Sequence, residues 1–190
     1  KSALPPRDYF SDEIRRQLSR DFGEQEFFSG GMAVRATVDP DMQQVAARAL
    51  RRALEKYDRS RGVWRGTGLK LAPEFLGDET AWRGALADLE VPRDVDLDGQ
   101  WYPAVVLELG AKDARIGIEG VGEVAKGHWI RARDVTWARK QLEGGQLARK
   151  AKVAGDLVEK GDVILVRAIT RDEDGAFVRW SLRQVPEVQG

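Results

Sequence analysis

Apolar residues recur every four positions near the start of the chain, where Phe10, Ile14 and Leu18 form one stripe, and this spacing predicts a helix over residues 8–21. Asp8, after Pro5-Pro6, is placed to cap it, and Gly23 to stop it. The period changes at 32–38. Met32, Val34, Ala36 and Val38 alternate with Ala33, Arg35 and Thr37, the pattern of a half-buried strand. Asp39-Pro40 then supplies an N-cap and a proline at the first helical position, where its missing N–H costs nothing. Beyond it Met42, Val45, Ala46, Ala49, Leu50, Ala53, Leu54 and Tyr57 trace a helical face, with Arg48, Arg51, Arg52, Glu55 and Lys56 opposite. Residues 60–68, rich in Gly and Arg, read as a boundary. A short helix over 79–89 carries Trp82, Ala85, Leu86 and Leu89 on one side and ends at Val91-Pro92. The acidic stretch 94–99 reads as a second boundary.

After Gln100 the texture becomes that of strands. Residues 101–109 and 115–119 flank a turn at 110–113, and a third strand lies within 120–129. Residues 134–141 have the length of a short helix, and 144–155 are polar and basic enough for an exposed loop. Two further strands, 162–170 and 175–184, meet at a turn over 172–175. Five short strands with a helix between the third and fourth match a small closed barrel of the oligonucleotide/oligosaccharide-binding (OB) type. The fold class predicted is therefore α+β, an N-terminal strand and helix linker region followed by an OB-like antiparallel β-barrel. Residues 1–66 form the linker region, 67–99 a connecting segment with the short helix, and 100–185 the barrel.

Composition narrows the chemistry. With 31 Lys+Arg against 31 Asp+Glu the formal net charge is zero, so no whole-molecule field draws in nucleic acid or anionic lipid. There is no cysteine, which excludes disulfides, thiolate zinc sites and thiol nucleophiles. No apolar run approaches the roughly 20 residues of a membrane span. His128 is the single histidine, and beside Gly127 and Trp129 it reads as a strand or turn residue rather than a catalytic base. Asp94, Asp96 and Asp98 lack the glycine and distal glutamate of a calcium loop. Gly66-Thr67-Gly68 and Gly120-Val121-Gly122 do not sit between a strand and a helix as a phosphate loop would. No cofactor or metal is expected.

The surface that stands out is basic. Arg131, Arg133, Arg139, Lys140, Arg149 and Lys150 lie among Trp129 and Trp137, and Arg179 and Arg183 face away from Val178, Trp180 and Leu182 on the last strand. On an OB barrel such a surface stacks and neutralises a single nucleic-acid strand. The interleaved Asp134, Glu143, Asp156 and Glu159 favour a solvated surface with core tryptophans instead.

Three segments resemble the bifunctional class A penicillin-binding proteins of the 1A type. Gly30-Gly31, with Thr37, Asp39, Pro40 and Gln43, is similar to the lead-in to their transpeptidase region. Tyr102-Pro103-Ala104-Val105-Val106 with Val135-Thr136-Trp137-Ala138-Arg139 resembles their OB-like module, and residues 182–190 resemble the run into the transpeptidase core. The catalytic signatures are missing: Ser11, Ser19, Ser29, Ser60 and Ser181 all lack a lysine three positions on, and there is no Lys-Thr-Gly. The resemblance implies a non-catalytic periplasmic module between glycosyltransferase and transpeptidase domains, in a parent anchored in the inner membrane. Its partners would be those two domains and a regulatory envelope protein rather than nucleic acid. Residues 186–190 would begin the lead into the transpeptidase. Leu50, Leu54 and Tyr57 would pack on that domain, and the eight basic residues above would form a docking surface. The alternatives are an OB-fold protein for single-stranded nucleic acid and a stand-alone protein-binding module.

Overall fold

The computed structural model describes residues 9–23, 29, 34, 37–93, 95, 96, 98–171, 173, 175 and 177–188, and divides the chain into units of residues 1–40 and 41–190. In the first unit, α1 (Tyr9–Phe22) carries Phe10, Ile14 and Leu18 half-buried on the predicted stripe. Gly23 ends it, its N–H donating to the Ser19 carbonyl at 3.0 Å. Asp8, Gly30-Gly31 and most of the strand expected over 32–38 lie outside the described residues, and Val34, Thr37 and Val38, which are described, are not in a strand.

The helix α2 (Pro40–Arg61) starts at the proline that the sequence marks. The Gly- and Arg-rich stretch after it carries β1 (Val63–Trp64), and α3 (Glu79–Ala87) is capped by Asp78, whose carboxylate accepts from Ala81 N at 2.7 Å. Then come β2 (Trp101–Leu109), β3 (Ala114–Ile118), β4 (His128–Ile130), β5 (Arg139–Gln141), β6 (Leu147–Lys150), β7 (Val163–Arg171) and β8 (Phe177–Arg183). The closed barrel runs β2-β3-β4-β8-β7. Its last closure is a parallel pair, β4 with β8, so the barrel is mixed rather than wholly antiparallel. The long connection through β5, β6 and β7 makes that parallel return possible.

Burial explains why β2 and β7 read as unbroken apolar runs. Ala104, Val106, Ile164 and Val166 point into the barrel, while Val105, Leu107, Val163 and Leu165 point outward under α3, against Trp82 and Leu86. Both faces of these strands are covered, so no polar alternation is needed. Leu86 is fully buried, worth on the order of 1.5–3 kcal/mol. The β3 partner of Val105 is Gly117, and any Cβ there would stand 2.6 Å from the Trp82 ring. Glycine at this position is what lets α3 seat on the barrel wall.

Two sequence expectations fail here. The helix predicted over 134–141 is a single tight turn, Ala132–Asp134, followed by β5. The Arg139 N–H that a helix would give to Val135 is instead taken by the Gly62 carbonyl at 2.9 Å, pairing β5 in parallel with β1. The exposed loop predicted over 144–155 contains β6 and buried Ala151 and Ala154, because Ala151 N bonds Ala138 O at 2.9 Å and Ala154 N bonds Lys112 O at 2.8 Å. Its closing turn is held by Asp156, whose carboxylate accepts from Lys152 N and Arg149 and is held at about 2 by them. The three strands β1-β5-β6 form a second small sheet.

One clamp on this arrangement is acid-sensitive. Glu159 accepts from Lys140 Nζ and Lys70 Nζ, each at 3.0 Å, and those ammonium groups hold its carboxyl down to about 2 against an ordinary 4.5. A carboxyl depressed on folding stabilises above its unfolded value and loses that contribution as pH falls through its folded one. The stability margin of the native chain over Glu159→Gln should therefore be full above about pH 4.5 and vanish near pH 2. Urea unfolding of both proteins at the two ends of that window checks this, and an unchanged margin would refute it. Because the group is exposed and screened, the margin is about 1 kcal/mol or less.

Candidate functional site

The helix α2 rests on the barrel through its polar face. Arg59 donates to Leu182 O at 3.0 Å and to Ser181 Oγ at 3.4 Å, and burial beside Arg183 pushes its guanidinium down to about 10. Glu55 pairs with Arg183, and Arg52 reaches Asp98 at 2.7 Å. At the centre is Asp58, only 5% exposed. It accepts from Arg65 at 2.6 Å, from the Gln184 side-chain amide at 2.7 Å and from Glu187 N at 3.2 Å. Gln184 also donates to Val63 O at 2.7 Å and accepts from Arg65 N at 2.9 Å. Helix α2, strand β1 and the segment leaving β8 are thus tied into one polar knot.

The opposite face of α2 is apolar and exposed. Met42 is 68%, Val45 60%, Leu50 46% and Tyr57 51% exposed, and Ala46, Ala49 and Ala53 between them are exposed as well. Leu54, at the margin of the stripe, is half-buried. The usual relation of an amphipathic helix to its own core is inverted.

Five of the eight basic residues are paired with carboxylates. Arg131 is held by Asp113 at 2.9 Å, Lys140 by Glu159, Arg149 by Asp156 at 3.0 Å and Arg179 by both oxygens of Asp134. Arg183 is tied to Glu55, so both it and Arg179, which the last strand's alternation turns away from Val178, Trp180 and Leu182, are paired with carboxylates. Arg133, Arg139 and Lys150 remain exposed. The two tryptophans are engaged too. Arg131 lies over the Trp129 ring at 5.0 Å, and Trp129 Nε1 donates to Lys126 O at 2.6 Å. Arg59 lies over Trp137 at 4.2 Å.

His128 is a core residue on β4. Its Nδ1 accepts from Trp180 Nε1 at 3.0 Å, which places its own proton on Nε2, 2.9 Å from the Gly122 carbonyl. Asp96 spends its oxygens on Asp98 N and Gln100 N, and Asp94 lies outside the described residues. Among the described residues no group of three or more His, Asp or Glu could hold a metal ion.

Sequence reading missed Asp58 and Gln184. One signal was present: an aspartate in the last turn of a helix is opposed by the negative end of the helix dipole, so it needs a partner from elsewhere. It also missed Arg61, which enters the neighbourhood of Arg139 only through the pairing of β1 with β5.

Known proteins match this chain over nearly its whole length. The family model for the penicillin-binding protein OB-like domain matches residues 64–188. The chain is 31% identical over 184 residues to penicillin-binding protein 1A of Rickettsia felis, covering 96% of this chain and 20% of that protein. Its likeness to penicillin-binding protein 1A of Vibrio cholerae is 29% over 178 residues, 94% of this chain and 20% of the other. With the same-named protein of Neisseria meningitidis it is 28% over 194 residues, 96% and 20%. The chain spans about a fifth of the length of these curated relatives.

Proposed function

Because this chain belongs to the penicillin-binding protein OB-like domain family, we propose that it is a non-catalytic interdomain module of a periplasmic peptidoglycan synthase. In this reading it stands between glycosyltransferase and transpeptidase domains in a parent anchored in the inner membrane, and its work is to hold them in a fixed relation. The observation that carries the proposal is the inverted helix α2. A large apolar stripe on a helix otherwise well attached to its own barrel is the signature of a face covered by another body. We assign that cover to the transpeptidase domain, with Met42, Val45, Leu50 and Tyr57 in the contact and Leu54 at its edge. The polar knot at Asp58 supports a mechanical role, since it fixes the outgoing segment 184–188 against α2. The engaged rings of Trp129 and Trp137 argue against a single-stranded nucleic-acid binder, which stacks bases on free aromatic faces.

The test is to mix the chain with the separately produced transpeptidase domain of the same protein and measure binding by calorimetry. Saturable association is expected, weakened at least tenfold, about 1.4 kcal/mol, by Val45→Glu with Leu50→Glu. Those positions are exposed, so the variant should keep the circular dichroism of the parent chain. Absence of association, or equal affinity of the variant, would remove the docking assignment.

A further inference from the structure

A cavity of about 240 Å³ opens where α2 ends, and Arg61 of α2, Arg139 of β5 and Lys150 of β6 all line it. Trp137 and Leu147 line it as well. The cations come from three separate elements, yet the backbone fixes them together. Arg139 is the register partner of both Val63 and Lys150, and its N–H bonds the Gly62 carbonyl at 2.9 Å. Gly62 itself has φ +67°, and a Cβ there would stand 2.9 Å from the Trp137 carbonyl. Only glycine brings the end of α2 this close to β5.

Among the described residues no carboxylate lines this cavity, whereas the neighbouring Lys140 and Arg149 each have one, Glu159 and Asp156. Trp137 is also in the lining, and its indole Nε1 is buried with no acceptor among the described residues. Like charges gathered around an open cavity call for an oxyanion. Its charge can be judged by count. Arg61, Arg139 and Lys150 bring three formal positive charges. A carboxylate returns one negative charge, and a phosphate monoester about 1.5 to 2. A diphosphate returns more, and the cavity, equal to about eight waters at roughly 30 Å³ each, has room for it. Guanidinium forks also match phosphate oxygens in geometry.

We propose that this cavity is a phosphate-binding site suited to a diphosphate group. It does not depend on the docking role of α2, whose apolar stripe takes no part in it, so the two can fail separately.

The experiment titrates inorganic pyrophosphate into the chain at low ionic strength, followed by calorimetry and tryptophan fluorescence. Saturable binding is expected, weakening with added salt and falling at least tenfold in Arg139→Ala with Lys150→Ala. Arg61→Ala should weaken it as well, and Arg133→Ala should leave it unchanged. Most of the fluorescence change should disappear in Trp137→Phe. Vesicles of phosphatidylcholine doped with phosphatidic acid distinguish the source. Co-sedimentation released by pyrophosphate assigns the site to a lipid headgroup, and its absence alongside pyrophosphate binding assigns it to a soluble phosphate. No saturation, equal affinity of the double variant, or binding of hexaglutamate as tight as that of pyrophosphate would overturn the proposal.

Discussion

Replacing Asp58 with alanine is expected to lower the stability of the unit 41–190 by about 3–5 kcal/mol, the usual consequence of removing one partner from a buried ion pair. At roughly 2–4 °C per kcal/mol for a unit of this size, the melting temperature should fall on the order of 10 °C. The size of the effect follows from what the carboxylate holds. Its side chain is 7% exposed and that of Arg65 is 22%. Removing it leaves the Arg65 guanidinium and the Gln184 amide facing each other with no acceptor between them, and frees Glu187 N. Asp58→Asn should fall between, because it keeps the shape but turns a donor toward the Gln184 amide or Arg65. Arg65→Ala completes a double-mutant cycle with Asp58→Ala, and a coupling of about 1–3 kcal/mol is expected for residues in one network. Additive effects, or an unchanged melting curve for the single variant, would show that the knot does not hold α2 to the barrel.

A comparable loss is expected at the centre of the barrel. Trp180 is fully buried, with the rings of Phe177, His128 and Tyr102 at 5.5, 5.6 and 5.8 Å. Trp180→Ala should cost roughly 3–5 kcal/mol, from lost burial and the cavity left behind. Trp180→Phe separates two causes. It keeps most of the apolar contact but leaves His128 Nδ1 without its donor, so it should still cost about 1–3 kcal/mol. Urea unfolding reads both as a shift in midpoint at constant slope. If Trp180→Phe matched the native protein, the hydrogen bond to His128 would be dispensable, and the histidine would be held by packing alone.

These two residues also show how far local pattern reaches. Trp180 was legible as a core position, because Val178, Trp180 and Leu182 alternate along one strand and two-residue periodicity is a property of the strand alone. The strands β2 and β7, the start of α2 at Pro40 and the apolar side of α3 were legible from equally local signals: apolar runs, a helix cap and helical spacing. The stretch 134–141 was misread because it was judged by its length alone. What decided against a helix was a carbonyl more than seventy positions away, that of Gly62, competing for one N–H. The basic residues were legible as charges but not as a site. That Arg149 is paired depends on where Asp156 falls, and that is set by the turn it caps.

The sequence by itself determined the family, the barrel strands and the apolar stripe of α2, since each rests on residue identities within a short window. Only the tertiary structure decided which face of α2 meets the barrel. Helical periodicity defines two faces but says nothing about which one finds a partner, and here the polar face won, because Glu55, Asp58 and Arg59 meet Arg183, Gln184 and the Leu182 carbonyl. Those groups lie more than a hundred residues further along the chain, and folding alone brings them within hydrogen-bonding distance.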